Sequence, residues 1–412
     1  MENNTLKDKA ENYLKYLCND LTTRRVGTQG NQEANKFLAD TFASFGFEIE
    51  RYPFDCIDWT QGEAKLSVNG KPFEIQVGAF TPGCQTQARL VVVSTVDELE
   101  SADLKNKILL LRGEITREQL MPKNFPFYNP DEHKHIVSLL ETKNPRAVLT
   151  ATGHNPETAG AVVPFPMIED GDFDIPSAFM TDKEGARLAS HADEMAALII
   201  EAERRPSSGF NLAARKGRAD RRVVVSAHID AKDNTPGALD NAASVVVLLL
   251  LAELLEDYDG ELGIELVPFN GEDHYSAAGE KAYLEANKGK LDRVLLNINL
   301  DALGSHQGKT VYSYYECPDE LKNTIQKTLA GQENFVEGDP WYQSDHMVFV
   351  MNGIPALAIT SENFVEILTE LAHTPKDNIE QVDSRKLVET ARILQKLVTQ
   401  LCIQCNPIKS NQ

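Results

Sequence analysis

The sequence predicts an α/β fold: a mixed, mostly parallel sheet flanked by helices, with a smaller β-rich domain inserted into it. Three observations carry this. From residue 207 onward apolar strands alternate with helical runs, in the order RRVVVSAHI, AASVVVLLLLAELLED, GIELVPFN, SAAGEKAYLEAN and RVLLNINLD. That is the pattern of parallel strands joined by crossover helices. Between about 61 and 206 the runs are shorter and β-like, as in an inserted module. The length, 412 residues, exceeds one ordinary domain. Residues 1–60 are therefore assigned to the main domain, 61–206 to the insert, and 207–412 to the remainder of the main domain.

Leu6 to Leu21 reads as an amphipathic helix. A second helix runs from about Gln32 to Phe45, with Gly46 as its C-cap glycine. FEIERYPFDCIDW alternates in strand fashion. In the insert, AKLSVNG and PFEIQVGAF meet at Asn69-Gly70, a strong hairpin signal. ARLVVVSTV and KILLLRGE follow as strands, then a helix over His133 to Glu141 and the strand RAVLTATG. The insert's histidines, His133, His135, His154 and His191, read as surface groups. ERRPSSGFN reads as the linker out of the insert. The helix Ala242 to Leu255 is apolar on nearly all faces, as a fully buried helix is.

Apolar residues make up 42 % of the chain and charged residues 25 %, the mix of a soluble globular protein. A formal charge of −21 repels phosphate backbones and argues against a nucleic-acid partner. The most basic stretch, Arg215, Lys216, Arg218, Arg221 and Arg222, has no interleaved aromatic residues and reads as a solvated hairpin. The six cysteines are scattered, and the single CxxC, Cys402 and Cys405, lies in a helical tail with no redox context. No apolar leader opens the sequence, and the most apolar run, Val245 to Ala252, is too short to cross a bilayer. A cytoplasmic address without a membrane partner is the expectation, and a homo-oligomer is compatible with it.

Residue types that bind metals stand at the ends of predicted strands and in loops: His228, Asp240, Asp273, Asp301 and His373. In HID, residues two apart point the same way on an extended backbone, so Asp230 can orient the His228 ring while that ring binds a metal. PGALDN places Asp240 directly before a buried helix, where it serves either as a ligand or as a helix cap. NGEDH supplies two adjacent acids, one to bind a metal and one, Glu272, to handle protons. NINLD and AHTPKDN contribute Asp301 and His373. Each signal alone is an ordinary loop acid or surface histidine. Together, in this order and at strand ends, two histidines and three carboxylates suit a pair of zinc ions or a similar divalent pair.

The series HID, GALDN, GED, NLD and HTPKD resembles the M28 family of co-catalytic metallopeptidases, aminopeptidase type. The likeness covers residues 1–60 and 207–405, and SDHMVFVMNGIPAL resembles a family segment bordering the substrate pocket. DLKNKILLLRG, RAVLTAT and DIPSAFM are similar to the protease-associated (PA) insert of many members. The resemblance implies a zinc-aminopeptidase-like fold and one zinc held by His228, Asp240 and Asp301. It implies a second held by Asp240, Asp273 and His373, with Asp240 bridging, Glu272 as general base and Asp230 supporting His228. It also implies a cis peptide after Asp240, and peptide substrates with a free N-terminus. One departure matters: the ligand after the base is usually glutamate and here is Asp273, so manganese or cobalt is an alternative occupant there. Competing expectations keep the fold and change the substrate, as in a carboxypeptidase or glutaminyl cyclase, or lose the metals altogether, as in a binding relative.

Overall fold

The computed structural model describes residues 2–21, 23–155, 159–218 and 220–405. The chain forms two compact units, one built from Met1–Cys56 with Ser208–Gln412 and the other from Ile57–Ser207. In the first, the strand order is Phe335–Glu337, Thr310–Tyr315, Ala356–Ser361, Val294–Leu300, Arg222–His228, Gly263–Phe269 and the end of Met195–Lys216. The four strands from Ala356–Ser361 to Gly263–Phe269 run parallel. Antiparallel neighbours flank them on both sides, at Thr310–Tyr315 and at Ala214–Lys216. This is the mixed, mostly parallel sheet the alternation predicts.

Arg222–His228 and Gly263–Phe269 are buried along their whole length, which is why both read as continuous apolar runs. Chain order places Gly263–Phe269 on one side of Arg222–His228 and Val294–Leu300 on the other. The carboxyl end of Arg222–His228 is therefore a topological switch point, where open α/β sheets leave a crevice.

The helix Ala243–Leu254 is buried from Ala243 to Ala252. It touches Arg222–His228 and Gly263–Phe269 on one side, and the helices Glu2–Lys15 and Ser384–Cys405 on the other. Each buried Val or Leu contributes about 1.5–3 kcal/mol, so the start of this helix is a firm anchor for the loop before it. The opening helix ends at Lys15 and continues as a wider π-turn over Tyr16–Asp20. The next helix, Gln29–Ser44, begins three residues earlier than its apolar pattern suggests, because Thr28 accepts a hydrogen bond from the Asn31 N–H as N-cap.

In the second unit Cys84–Val93, Ile108–Leu111, Ala147–Thr152 and Ser177–Thr181 form a parallel sheet, and Leu66–Val68 pairs with Lys71–Phe73 across the Asn69-Gly70 turn. His135 and His154 are exposed. His133 is buried, contrary to the surface reading, and its Nδ1 accepts the Met121 N–H at 3.0 Å.

Two further expectations are corrected. ERRPSSGFN does contain the point where the chain leaves the second unit, between Ser207 and Ser208, but it is strand rather than loop: it is the middle of the 22-residue strand Met195–Lys216, paired with Glu48–Val68. Turn-type residues lose to ladder hydrogen bonds when a partner strand is at hand. The basic stretch is only partly solvated: Arg222 is 5 % exposed, and it and Arg215 pair with the fully buried Glu265. Two guanidiniums beside one carboxylate offset the cost of burying it. Cys402 lies on the C-terminal helix; the Cys405 side chain falls outside the described residues. No described helix is long and apolar enough to cross a membrane.

Candidate metal centre

Three strand ends and two loops, one carrying Asp240 and one His373, deliver the predicted residues to a single place at the switch point. His228 is the last residue of its strand, Glu272 and Asp273 follow Phe269, and Asp301 follows Leu300. His373 comes from the turn after the helix Phe364–Glu370, at a φ of 64° that non-glycine residues seldom adopt.

Asp240 lies between the two imidazoles. Its Oδ1 is 3.1 Å from His228 Nε2, and its Oδ2 is 3.2 Å from His373 Nε2. His228 Nε2 is also 3.7 Å from Asp301 Oδ1, and His373 Nε2 is 3.2 Å from Asp273 Oδ1. Two groups with metal-binding spacing result, His228–Asp240–Asp301 and Asp240–Asp273–His373, and they share Asp240. A third, His228–Glu272–Asp273, draws in the residue expected to remain unligated.

The helix-cap alternative for Asp240 does not hold. The helix begins at Ala243 behind Ala242, with no side-chain cap. Asp240 and Asn241 have non-helical dihedrals, and the peptide bond between them is cis. Gly237, at φ 58°, makes the turn before them possible: a Cβ there would lie 2.5 Å from the Asp240 carbonyl oxygen and 2.8 Å from Arg24.

The donor set fits divalent cations. Three carboxylates and two imidazoles converge, and Asp273 Oδ2 is buried with no hydrogen-bond partner, an arrangement that costs free energy unless a cation or water satisfies it. Burial disfavours a charged His228, but the carboxylates of Asp240 and Asp301 outweigh it and hold the ring's pKa well above its usual value. Burial likewise opposes ionisation of Asp240, yet His228 and His373 hold its carboxyl below the usual range. Burial raises Glu272, reinforced by the Asp273, Asp301 and Asp240 carboxylates. A carboxyl raised in this way holds a proton more readily than a free one, as a general base needs to.

Asp230 is fully enclosed, at 1 % exposure, but its carboxylate is 3.8 Å from His228 Nδ1. The nearer partner of that nitrogen is the Asp230 carbonyl oxygen, at 3.1 Å. The carboxylate instead accepts the backbone N–H groups of Gly271 and Asp273, each at 3.0 Å. It thereby links the loop after His228 to the loop carrying Glu272.

Four residues near the centre escaped the sequence reading. The buried Arg24 guanidinium donates to the carbonyl oxygens of Leu17, Ile229, Pro236 and Gly237. Asp377, within HTPKD, reaches the loop of Asp240. Glu280 and Asp345 are buried carboxyls beside the site; burial pushes Glu280 up to about 8, with the Asp230 charge adding to it. Only the acids within quoted motifs carried a local signal. An arginine in a turn carries none.

The model of peptidase family M28 matches residues 211–398. Aminopeptidase YwaD of Bacillus subtilis is 22 % identical over 400 residues, covering 92 % of this chain and 82 % of that protein. A solved zinc aminopeptidase from Bacillus subtilis, BSAP, superposes with a TM-score of 0.74 at 19 % identity, covering 98 % of this chain and 96 % of that one. A glutaminyl cyclase from Fimbriiglobus ruber superposes with a TM-score of 0.51 at 13 % identity, covering 96 % and 95 % of the two chains.

Proposed function

We propose, from the match of residues 211–398 to the model of peptidase family M28, that this chain is a metal-dependent aminopeptidase, releasing the N-terminal residue of peptides at a two-metal centre. One observation carries the reading: the Asp240 carboxylate presents one oxygen to each imidazole, at 3.1 and 3.2 Å, as a bridging ligand must. His228, Asp240 and Asp301 would hold one ion, and Asp240, Asp273 and His373 the other. Zinc is the proposed metal, from the N/O donor set and the zinc enzyme of the same fold.

When bound, such a pair polarises the scissile carbonyl and lowers the pKa of a water. Glu272 takes the proton as the water oxygen bonds to the carbonyl carbon. It then delivers that proton to the amine nitrogen as the C–N bond breaks. The substrate's free α-amine would dock against this centre, which confines cleavage to the chain end. The proposed partner is thus a peptide with an unblocked N-terminus.

Fluorogenic amino-acid amides, free and N-acetylated, assayed with added Zn²⁺, Mn²⁺ or Co²⁺, test this. Hydrolysis confined to the free amines is expected. Equal hydrolysis of the blocked substrates overturns the exopeptidase reading, and ring closure of an N-terminal glutaminyl peptide without hydrolysis identifies a cyclase instead.

Asp273 offers a second test. Its Oδ1 comes within 3.2 Å of His373, and its backbone is drawn toward Asp230 by the 3.0 Å hydrogen bond. We propose that the loop takes up the reach of the missing methylene. Asp273→Glu should therefore crowd the site and weaken one metal by about tenfold, the scale on which residues that set ligand geometry act. Chelator competition measures it, and tighter binding by the variant would show a loop that had not adapted.

A further inference from the structure

Asp377 is fully buried, at 0 % exposure, four residues after His373. Its Oδ1 accepts the Leu239 N–H at 2.7 Å and its Oδ2 accepts the Asp240 N–H at 3.0 Å. Its own carbonyl oxygen accepts the Ala238 N–H at 3.2 Å. Three bonds from one residue therefore fall on three successive residues, ending at the proposed bridging ligand. The turn between His373 and Asp377 is itself held, with the Thr374 N–H on the Leu371 carbonyl and the Asp377 N–H on the Thr374 carbonyl, each at 3.1 Å.

Asp230 has the same construction on the other side of the centre. It sits two residues after His228, and its two carboxylate oxygens take the N–H groups of Gly271 and Asp273. Each imidazole-bearing loop thus carries a buried aspartate that grips a loop bearing a carboxylate ligand. Contact between His373 and Asp273 and the continuous chain from His228 to Asp240 close the circuit. Arg24 fastens that chain at Ile229, Pro236 and Gly237.

We infer that Asp377 is a positioning residue for the bridging ligand, and that with Asp230 it fixes the spacing of the loops that hold the two metals. The inference rests on the two-metal reading above. A carboxylate suits the task because it has two acceptor oxygens and no donor, so both backbone amides are satisfied at once. An asparagine replaces one acceptor with an NH₂ group that faces an N–H. One bond is lost, and a buried donor is left without a partner.

The test compares wild-type protein, Asp377→Asn and a control, Val398→Ala, which opens space in the core of the C-terminal helix at a side chain of 0 % exposure. Zn²⁺ affinity is measured by competition with a chromophoric chelator, at a temperature well below the lowest Tm of the three metal-free proteins. Asp377→Asn is expected to lose about 10–100-fold in affinity, the effect typical of groups that orient ligands. Val398→Ala should stay within a few-fold of wild type even where its Tm falls as far. Equal losses in the two variants, or no loss in Asp377→Asn, overturn the inference while the two-metal reading stands. A wild-type protein that binds no Zn²⁺ sinks that reading and this inference with it. Should Asp377→Asn fail to fold, amide exchange of the metal-free wild-type protein decides: Leu239 and Asp240 protected supports the positioning role, and solvent-like exchange at both overturns it.

Discussion

Asp240→Asn should leave the purified protein with less than about half its wild-type metal, because ligand geometry and charge both fail at the one residue shared by the two proposed sites. The carboxylate places Oδ1 3.1 Å from His228 Nε2 and Oδ2 3.2 Å from His373 Nε2. An amide keeps one of those oxygens, turns the other into a donor, and removes the negative charge that both positions share. No other single-ligand change touches both metal groups. Elemental analysis of the variant beside Asp273→Asn and Asp301→Asn checks the ranking. Full metal occupancy in Asp240→Asn would remove the bridging role and, with it, the main support for a two-metal enzyme.

Turnover should fall by about 10²–10⁴-fold in Glu272→Gln, the usual loss when a positioned acid–base group is removed. Metal content should be unchanged. Gln has the shape of Glu but cannot take a proton from water or return it to the leaving amine, so the effect belongs in kcat. The alternative is built into the site, since His228, Glu272 and Asp273 also stand at metal-binding spacing. If Glu272 is a ligand, the variant loses metal together with activity. Measuring zinc content and kcat on one preparation separates the two, and activity within a few-fold of wild type rules out both roles.

Much of the centre was legible because its residues sit where local pattern is strongest. His228, Asp273 and Asp301 lie at or just after the ends of apolar strands, and an apolar run that breaks into a polar loop can be read from a few neighbouring residues. The helix after Asp240 was equally plain, since contacts on both sides leave it no polar face. ERRPSSGFN reads as loop rather than strand for the opposite reason. Its Pro, Ser and Gly signal a loop locally, whereas a strand far away in the chain decides where its backbone hydrogen bonds go.

The sequence by itself determined the kinds of candidate ligand, their order, and their delivery to one edge of a mostly parallel sheet, since the period of the apolar residues sets strands and helices. Only the tertiary structure decided which groups face one another. It set Asp240 between two imidazoles rather than on a helix cap, and turned the Asp230 carboxylate to the amides of Gly271 and Asp273. It also brought in Arg24 and Asp377 to hold the loop of Asp240. The reason is that loops have no period. Their buried N–H and C=O groups must still find partners, and those partners lie up to 213 residues away, as for Arg24 and Gly237, beyond the range of any local pattern.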